Sequence, residues 1–260
     1  SHSLGLARTY DRENVHSLYN NLPEYVRNDD DFGEIEKLVS LFGEQFDLLK
    51  NYIDNYAVIP HGINENYFEI QKNDRTLSRL IKLVYISPIL SYKNHINVID
   101  AVYLLSLEYK VKLLLVGDGD PSLIKRMVSY IKSINKHEDI INYSGLVNHA
   151  NIHNVLSESD IFIFASGCEA FGITLLEGMA SGLPIACSKM SSLPETLNDC
   201  GLYFDPMDSI SISDTIRLLI DNPEMRHMLG TKARKRAKIY KWEKSANLTW
   251  EIISKQIKSC

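Results

Sequence analysis

The sequence contains little cysteine and no long apolar run. Its four cysteines, Cys168, Cys187, Cys200 and Cys260, show neither CxxC nor His/Cys ligand spacing and are too sparse for a disulfide framework. We therefore expect a reduced, cytoplasmic setting and no structural zinc. No stretch reaches the roughly 18 apolar residues of a membrane-spanning helix, and the N-terminus lacks a basic segment followed by an apolar one. We expect neither a signal-directed secreted protein nor an integral membrane protein.

The sequence also lacks an excess of positive charge. Lys and Arg total 28 against 33 Asp and Glu, which gives a net charge of −5 over 260 residues. This balance provides no counterion-release drive towards nucleic acid, so no nucleic-acid partner is expected. Hydrophobic residues make up 45% and charged residues 23% of the chain, as in folded globular proteins. Collagen-like, coiled-coil and disordered chains are thereby excluded.

From Leu80 onward, short apolar runs rich in β-branched residues alternate with segments of helical period. The pattern predicts strands at 80–87, 111–117, 140–144, 160–166, 183–188 and 201–204, and helices at 94–110, 121–134, 150–157 and 172–182. Uniformly apolar strands separated by helices indicate a parallel sheet covered on both faces. The fold class is therefore α/β, a doubly wound and Rossmann-like sheet, and functional residues are expected just after its strands.

The two ends of the chain differ from this central part. Residues 1–56 contain helical stretches but no strong buried strand, and they are too few for a complete domain, so we interpret them as a partial, acceptor-side region. Residues 57–241 form the predicted sheet domain, whose last helices lie at 208–219 and 223–240. Residues 242–260 form a terminal amphipathic helix. Its apolar stripe is expected to dock on an apolar surface and comprises Trp242, Ala246, Trp250 and Ile253.

The loop and helix at 166–177 are the most informative for chemistry. A buried strand precedes them, Glu169 lies in the loop, and Glu177 lies within the first two turns of the helix. The amides of Gly172, Ile173 and Thr174 would be unpaired at the helix N-terminus, where they favour a phosphate. Glu177 would accept hydrogen bonds from neutral hydroxyls such as those of ribose. Glu169 would accept them from a sugar or would stabilise developing positive charge. The alternative is that both glutamates are merely solvated.

The segment EAFGITLLE (169–177), followed by GMASGLPI, resembles the signature of the family 4 retaining glycosyltransferases of GT-B fold. Further motifs occur in the family's order: VIPHGIN (58–64), YKNHINVIDA (92–101), LLLVGDG (113–119), SGLV (144–147), LPETL (193–197), GLYFDPMD (201–208) and KW (241–242). The resemblance covers the chain from about Val58 to its end. The motifs most closely resemble those of bacterial transferases that build lipopolysaccharide O-antigen or capsule. On this basis the sheet domain corresponds to the donor-binding C-terminal half of a GT-B enzyme.

The resemblance implies a role for individual residues. Glu177 would hold the donor's ribose, Glu169 the donor hexose, and the amides around Phe171, Gly172, Ile173 and Thr174 the β-phosphate. The loop at Leu146 and Val147 would hold the base. Lys93 would bind the diphosphate, where a cation stabilises the leaving group, and an exposed lysine at a helix start is the alternative. Lys93 and Glu169 are thus the predicted catalytic residues.

One position departs from the family pattern. The family usually has an Arg five residues before this Lys, and here that position is Pro88. Either Lys93 and the helix amides suffice, another cation substitutes, or activity is weak. The resemblance implies no cofactor and no metal, because helix amides and Lys93 can supply the positive charge.

Three other sequence features indicate a functional role only weakly. Gly117-Asp118-Gly119 is a tight strand exit and lacks the GxGxxG of a dinucleotide site. His61 is expected to be structural. The basic stretch 232–244 is expected to be a solvated helix face, although contact with anionic lipid headgroups stays open.

The expected function is transfer of a hexose from a nucleotide-diphosphate sugar to a glycan or lipid-linked acceptor, in bacterial surface polysaccharide synthesis at the inner face of the membrane. Two alternatives stay open. One is a nucleotide-sugar binding domain that needs a missing N-terminal domain for activity. The other is a sugar-nucleotide epimerase of the same fold.

Overall fold

The strands form one parallel sheet in the computed structural model, which describes residues 59–70, 80–135 and 139–259. Its order is β3-β2-β1-β4-β5-β6. The bounds are β1 Ile81–Ile86, β2 Val111–Val116, β3 Ile141–Tyr143, β4 Ile161–Phe164, β5 Ile185–Ser188 and β6 Leu202–Phe204. The predicted doubly wound, Rossmann-like α/β fold is confirmed. The expected helices within residues 1–56 lie outside the described residues.

The strand order reverses between β1 and β4. β1 pairs with β2 along its whole length, from Ile81 with Val111 to Ile86 with Val116, and pairs with β4 through Leu83 and Val84. Ligands of open α/β sheets bind at such a switch point, beyond the carboxyl ends of the strands. The loops that leave β1 and β4 carry Lys93 and Glu169, so the topology brings these two predicted residues to one place.

The helices lie on both faces of the sheet. Their bounds are α1 His95–Ser106, α2 Pro121–Ile134, α3 Ile152–Glu158, α4 Ile173–Ala180, α5 Leu193–Leu197, α6 Ser209–Asp221, α7 Pro223–Ala237 and α8 Trp242–Ser259. On α1, Ile99, Val102 and Leu105 are fully buried as predicted, while Ile96 is partly buried. The predicted helix bounds agree with the observed ones to within a few residues, except that α1 ends at Ser106, four residues before the predicted end at residue 110. The short helix α5 was not predicted.

The apolar stripe predicted on the terminal helix α8 is largely exposed in the part of the chain that the structure describes. Trp242 and Trp250 are 53% and 68% exposed, and Ala246 is exposed as well. The helix is held instead by the face that carries Ser245, a buried side chain whose hydroxyl donates to the carbonyl of Pro60. Of these three residues, Trp242 packs edge-on against His61, with ring centroids 5.9 Å apart, and contact of the whole stripe with an apolar surface stays a prediction.

The basic helix α7 is only partly a solvated face. Arg234 donates to the carbonyls of Phe68 and Ile70, which anchors the segment before the sheet. Arg236 donates to the carbonyls of Glu195 and Thr196 at α5. These two arginines use their fork of donors to satisfy carbonyls of neighbouring segments.

Candidate functional site

The loop after β1 holds Lys93 in a buried position. Lys93 closes a 3-10 turn at Ser91–Lys93 and is only 5% exposed. The hydroxyl of Tyr85 donates to the Lys93 carbonyl at 2.8 Å. Asn94 adopts a left-handed conformation, with φ of 54°. Its side-chain Nδ2 donates to the carbonyls of Tyr92 and Ala165 at 3.1 and 2.9 Å. Since Ala165 follows β4, Asn94 ties the Lys93 loop to the Glu169 loop.

The ammonium group of Lys93 forms an ion pair with the carboxylate of Glu169. Their side chains are 6% and 16% exposed. The Lys93 Nζ also lies 5.1 Å from the centre of the Tyr92 ring and 5.7 Å from that of Phe164, within cation–π range. The interpretation of Lys93 as an exposed helix-start lysine is therefore wrong. The structure brings the two residues predicted to be catalytic into direct contact.

A neutral histidine, His95, packs against the base of this loop. The His95 Nε2 lies 3.1 Å from the Ser87 hydroxyl oxygen, and its ring stacks on Tyr85 with centroids 4.8 Å apart. Burial, together with the positive charge of Lys93, lowers the pKa of His95 to about 4. An uncharged imidazole adds no repulsion to Lys93 at neutral pH. His95 was not predicted from the sequence, where its only signal is its place two residues after Lys93.

Hydroxyl groups from the segment after β5 fix the Glu169 loop. Ser191 and Ser192 donate to the Glu169 carbonyl at 2.8 and 2.9 Å, and Ser191 also accepts from the Glu169 amide at 3.2 Å. Thr196 donates to the Phe171 carbonyl at 3.1 Å. The sequence alone assigns no role to the motif LPETL (193–197). Its structural role, with the two preceding serines, is to hold the backbone on either side of Ala170.

The N-terminus of α4 faces this loop without a side-chain cap. Gly172 is the N-cap in a left-handed conformation with φ of 83°, and no side chain among the described residues caps the helix. Phe171 is buried and packs against His61 and Tyr240, with ring centroids 5.2 and 5.6 Å apart. Ile173 is 43% exposed and Thr174 is half-buried. Amides at such an end, with the positive end of the helix dipole, suit an anion.

Glu177 lies one turn further along α4 and is only 4% exposed. Its Oε1 accepts a hydrogen bond from the Tyr67 hydroxyl at 3.0 Å and lies 2.8 Å from the Nε2 of His149. Burial first, then the negative charge of Glu177 and the hydrogen bond to it, hold the pKa of Tyr67 well above its usual value. Tyr67 therefore stays a neutral donor. Neither Tyr67 nor His149 was predicted from the sequence, since they come from distant segments without a motif.

The loop after β3 carries the two residues predicted to hold the base. Leu146 is 75% exposed, and Val147 is partly buried. The loop is tied to the Gly117-Asp118-Gly119 turn by a hydrogen bond of 2.9 Å from the Gly117 amide to the Gly145 carbonyl. His149 belongs to the same loop, so its contact with Glu177 links the predicted base loop to the predicted ribose carboxylate.

A cavity of about 540 Å³ lies apart from these groups. It is formed by β1, β2 and β3 together with α3, and its lining includes Lys82, Lys112 and Asn142. Of the predicted site residues only Val147 lines it. We therefore place the candidate site at the carboxyl edge of the sheet.

The described parts of the chain show neither a metal-binding cluster nor a membrane-spanning helix. Residues 59–70, 80–135 and 139–259 contain no group of three or more His, Cys, Asp or Glu side chains placed to hold a metal ion. Over the same ranges, no helix combines the length and the apolar character needed to cross a membrane.

Comparison with solved structures shows the same fold. A glycosyltransferase from Rickettsia africae superposes with a TM-score of 0.74 at 23% identity, covering 92% of this chain and 69% of that one. The Anabaena protein HepE, solved in complex with UDP-glucose, superposes with a TM-score of 0.71 at 17% identity, covering 86% and 63%.

Comparison with curated proteins gives relatives of related description. O-antigen chain mannosyltransferase B of Escherichia coli is 28% identical over 166 residues, which cover 64% of this chain and 44% of the relative. N-acetyl-alpha-D-glucosaminyl L-malate synthase of Bacillus anthracis is 29% identical over 202 residues, covering 75% and 52%. The chain spans about half the length of these relatives.

A family model gives the assignment. The model described as "Glycosyl transferases group 1" matches residues 68–236, more than half of the chain. The match includes Lys93, Glu169 and Glu177 and agrees with the ordered motifs and the sheet order. The chain therefore belongs to the glycosyl transferase group 1 family.

Proposed function

We propose that this chain binds the nucleotide-diphosphate sugar donor of a retaining hexosyltransferase and transfers the hexose to a glycan or lipid-linked acceptor. One observation carries the proposal: Lys93, Glu169 and the uncapped end of α4 converge where the strand order reverses. In an open α/β sheet this is the place for a ligand, and the groups present suit an anion joined to a neutral polyol. Family membership supports the same donor class.

The charges of the site explain how a diphosphate would bind beside a carboxylate. The Lys93–Glu169 pair has no net charge, so Glu169 adds little repulsion to an incoming phosphate. An ammonium group has three donors, and Lys93 can therefore contact a phosphate oxygen while it keeps Glu169. The amides of Gly172, Ile173 and Thr174 would contact the β-phosphate. As the glycosidic bond breaks, Lys93 and these amides would stabilise the negative charge that develops on the leaving nucleotide.

The carboxylates would orient the uncharged parts of the donor. Glu169 would accept hydrogen bonds from hexose hydroxyls, and Glu177 from ribose hydroxyls, while the loop at Leu146 and Val147 would contact the base. We assign no protein base to the reaction. The contribution of the protein is to position the donor and to neutralise the leaving group. Pro88, which is exposed, replaces the usual Arg and provides no charge, so Lys93 and the helix amides would act without it.

The broader setting belongs to the proposal as well. Similarity to the Escherichia coli O-antigen mannosyltransferase supports a role in bacterial surface polysaccharide synthesis. We place this reaction in the cytoplasm, at the inner face of the membrane. Exposed lysines on and after α7 would contact anionic headgroups there; these are Lys235, Lys238, Lys241 and Lys244.

A second candidate function is donor binding without transfer by this chain alone. The observation that favours it is that the described site groups, Lys93, Glu169, Glu177 and the N-terminus of α4, are all assigned to the donor and none to an acceptor. A transfer assay with the isolated chain, and with candidate acceptors present, separates this function from the first.

Calorimetric titration of the chain with UDP, GDP and ADP tests the proposal. We expect one of them to bind and Glu177→Ala to weaken that binding at least tenfold, because a buried acceptor for ribose is lost. Glu251→Ala, on the exposed side of α8, is the matched control and should bind as the wild type does. Folded wild-type protein that binds none of the three nucleotides would contradict donor binding. Epimerised free nucleotide sugar, formed without acceptor, would favour an epimerase instead.

A further inference from the structure

Glu177 is held by two side chains, Tyr67 and His149, that lie outside the motifs quoted above. Tyr67, which is 3% exposed, donates to Oε1 from the buried side, and His149, whose side chain is 71% exposed, contacts the same oxygen from the open side. Tyr67 and His149 also meet each other, with the hydroxyl oxygen 3.4 Å from Nε2 and the rings in edge-to-face contact. The three residues form a compact polar cluster, which we call the Glu177 cluster.

The cluster distinguishes the two oxygens of the carboxylate. Both contacts within the described residues go to Oε1, and none goes to Oε2. A carboxylate oxygen has two lone pairs, so Oε1 is saturated when Tyr67 and the Nε2–H tautomer of His149, which a carboxylate oxygen at 2.8 Å favours, both donate to it. The rotamer of Glu177 is thereby fixed while Oε2 keeps its capacity to accept.

Hydrogen bonds tie the supports of the cluster to the rest of the fold. Tyr67 belongs to the 3-10 helix Glu65–Glu69, whose C-terminal end is anchored by Arg234 on α7 through the Phe68 and Ile70 carbonyls. His149 opens the 3-10 turn before α3, which Asn148 caps by accepting from the Ala150 amide. Groups held in this way present an acceptor at a defined position, which is the requirement for recognising a hydroxyl.

We propose that Tyr67 and His149 are positioning residues that hold Oε1 of Glu177 and so present Oε2 to the ribose diol of the donor. The inference rests on the proposed function, in which Glu177 accepts from ribose. It deepens that function by assigning selectivity for ribonucleotides to these two residues. Tyr67 acts from the buried side as a permanent donor. His149 lies in the loop that would contact the base, so its contact with Glu177 couples ribose recognition to that loop.

The test compares two ligands that differ only in the ribose. The nucleoside diphosphate preferred among UDP, GDP and ADP, and its 2′,3′-dideoxy form, are titrated into the wild type, Tyr67→Phe and His149→Ala. We expect Tyr67→Phe to lower the affinity for the ribonucleotide roughly tenfold and to leave that for the dideoxy form nearly unchanged, because the lost hydrogen bond acts only through Glu177. His149→Ala should act in the same direction by a few fold, since its side chain is largely solvated.

Tyr130→Phe is the matched control, because the Tyr130 hydroxyl also donates to a carboxylate, that of Asp100, at 2.6 Å. It should change neither affinity. Wild-type affinity for the ribonucleotide in both variants, or an equal loss for both ligands, would overturn the inference while donor binding stands. A wild type that binds no nucleoside diphosphate overturns the proposed function itself. His149→Ala changes a surface side chain, so the test does not depend on the folding of Tyr67→Phe.

Discussion

The ammonium group of Lys93 pairs with the carboxylate of Glu169 across the point where the strand order reverses. One residue leaves β1 and the other leaves β4, so the pair joins the two loops that border the candidate site. Breaking a buried pair leaves an uncompensated charge, which costs more than the pair itself contributes. The same contact therefore links the stability of the loops to the chemistry proposed for them.

Lys93→Met should destabilise the protein by about 3 kcal/mol, because Glu169 is left buried without its cation. The double variant Lys93→Met/Glu169→Gln should regain most of that loss, since it removes both charges. Urea unfolding of the three proteins measures the difference. Lys189→Met provides the control, because the pair of Lys189 with Asp205 is largely solvated and its loss should cost under about 1 kcal/mol. Equal losses for Lys93→Met and the double variant would show that Glu169 is stabilised in another way.

Lys93→Ala should reduce turnover more than nucleotide binding. The positive charge is needed most when the leaving diphosphate gains negative charge, so we expect kcat to fall about 10²-fold or more and the nucleotide Kd to rise less than tenfold. The measurement is a transfer or hydrolysis assay with the preferred sugar nucleotide, together with calorimetry on the same preparation. Glu177→Ala should show the opposite pattern, in which the nucleotide Kd changes more than kcat does. Wild-type behaviour of both variants would refute the proposed site.

The central fold is predictable because it rests on local patterns. Buried strands such as β2 are apolar runs, and α2 begins at Pro121 as predicted because Asp120 caps it by accepting from the amides of Ser122 and Leu123. The five-residue helix α5 is too short for a period to be seen. The exposed stripe on α8 shows a different limit: periodicity indicates that a helix has an apolar face without indicating what covers it.

The candidate site is predictable only where motifs carry it. Lys93, Glu169 and Glu177 were identified by their setting after strands and by family resemblance. Tyr67 and His149 reach Glu177 across 110 and 28 positions of sequence, and no spacing rule connects them. The burial of Lys93 could not be predicted from the sequence either, since it arises from the packing of the loop after β1 against the loop after β4.

Gly172→Ala should weaken nucleotide binding as well as stability. Gly172 has φ of 83°, which costs an L-residue about 1 kcal/mol, and an added Cβ would lie 3.2 Å from a methyl carbon of Leu193. The shift of the α4 amides should raise the nucleotide Kd several fold. Gly182→Ala is the control, because φ is 74° there and the nearest atom to a Cβ, in Arg234, lies at an ordinary 3.5 Å. It should cost similar stability without changing the nucleotide Kd. Equal Kd values for both variants would contradict a phosphate contact at α4.

Stability should fall between pH 6.5 and about pH 4 through His95. Burial and Lys93 lower its pKa in the folded protein to about 4 from an ordinary 6.5, so the unfolded chain binds the proton first as the pH falls. The stabilisation is fully present above pH 6.5 and is lost progressively towards pH 4, by up to about 3 kcal/mol. His95→Gln removes the titrating group, so its free energy of unfolding should depend less steeply on pH over this window. Parallel urea-unfolding series of the two proteins measure that slope. Identical slopes would mean that His95 titrates alike in the folded and unfolded chains, in conflict with its burial against Tyr85 and beside Lys93.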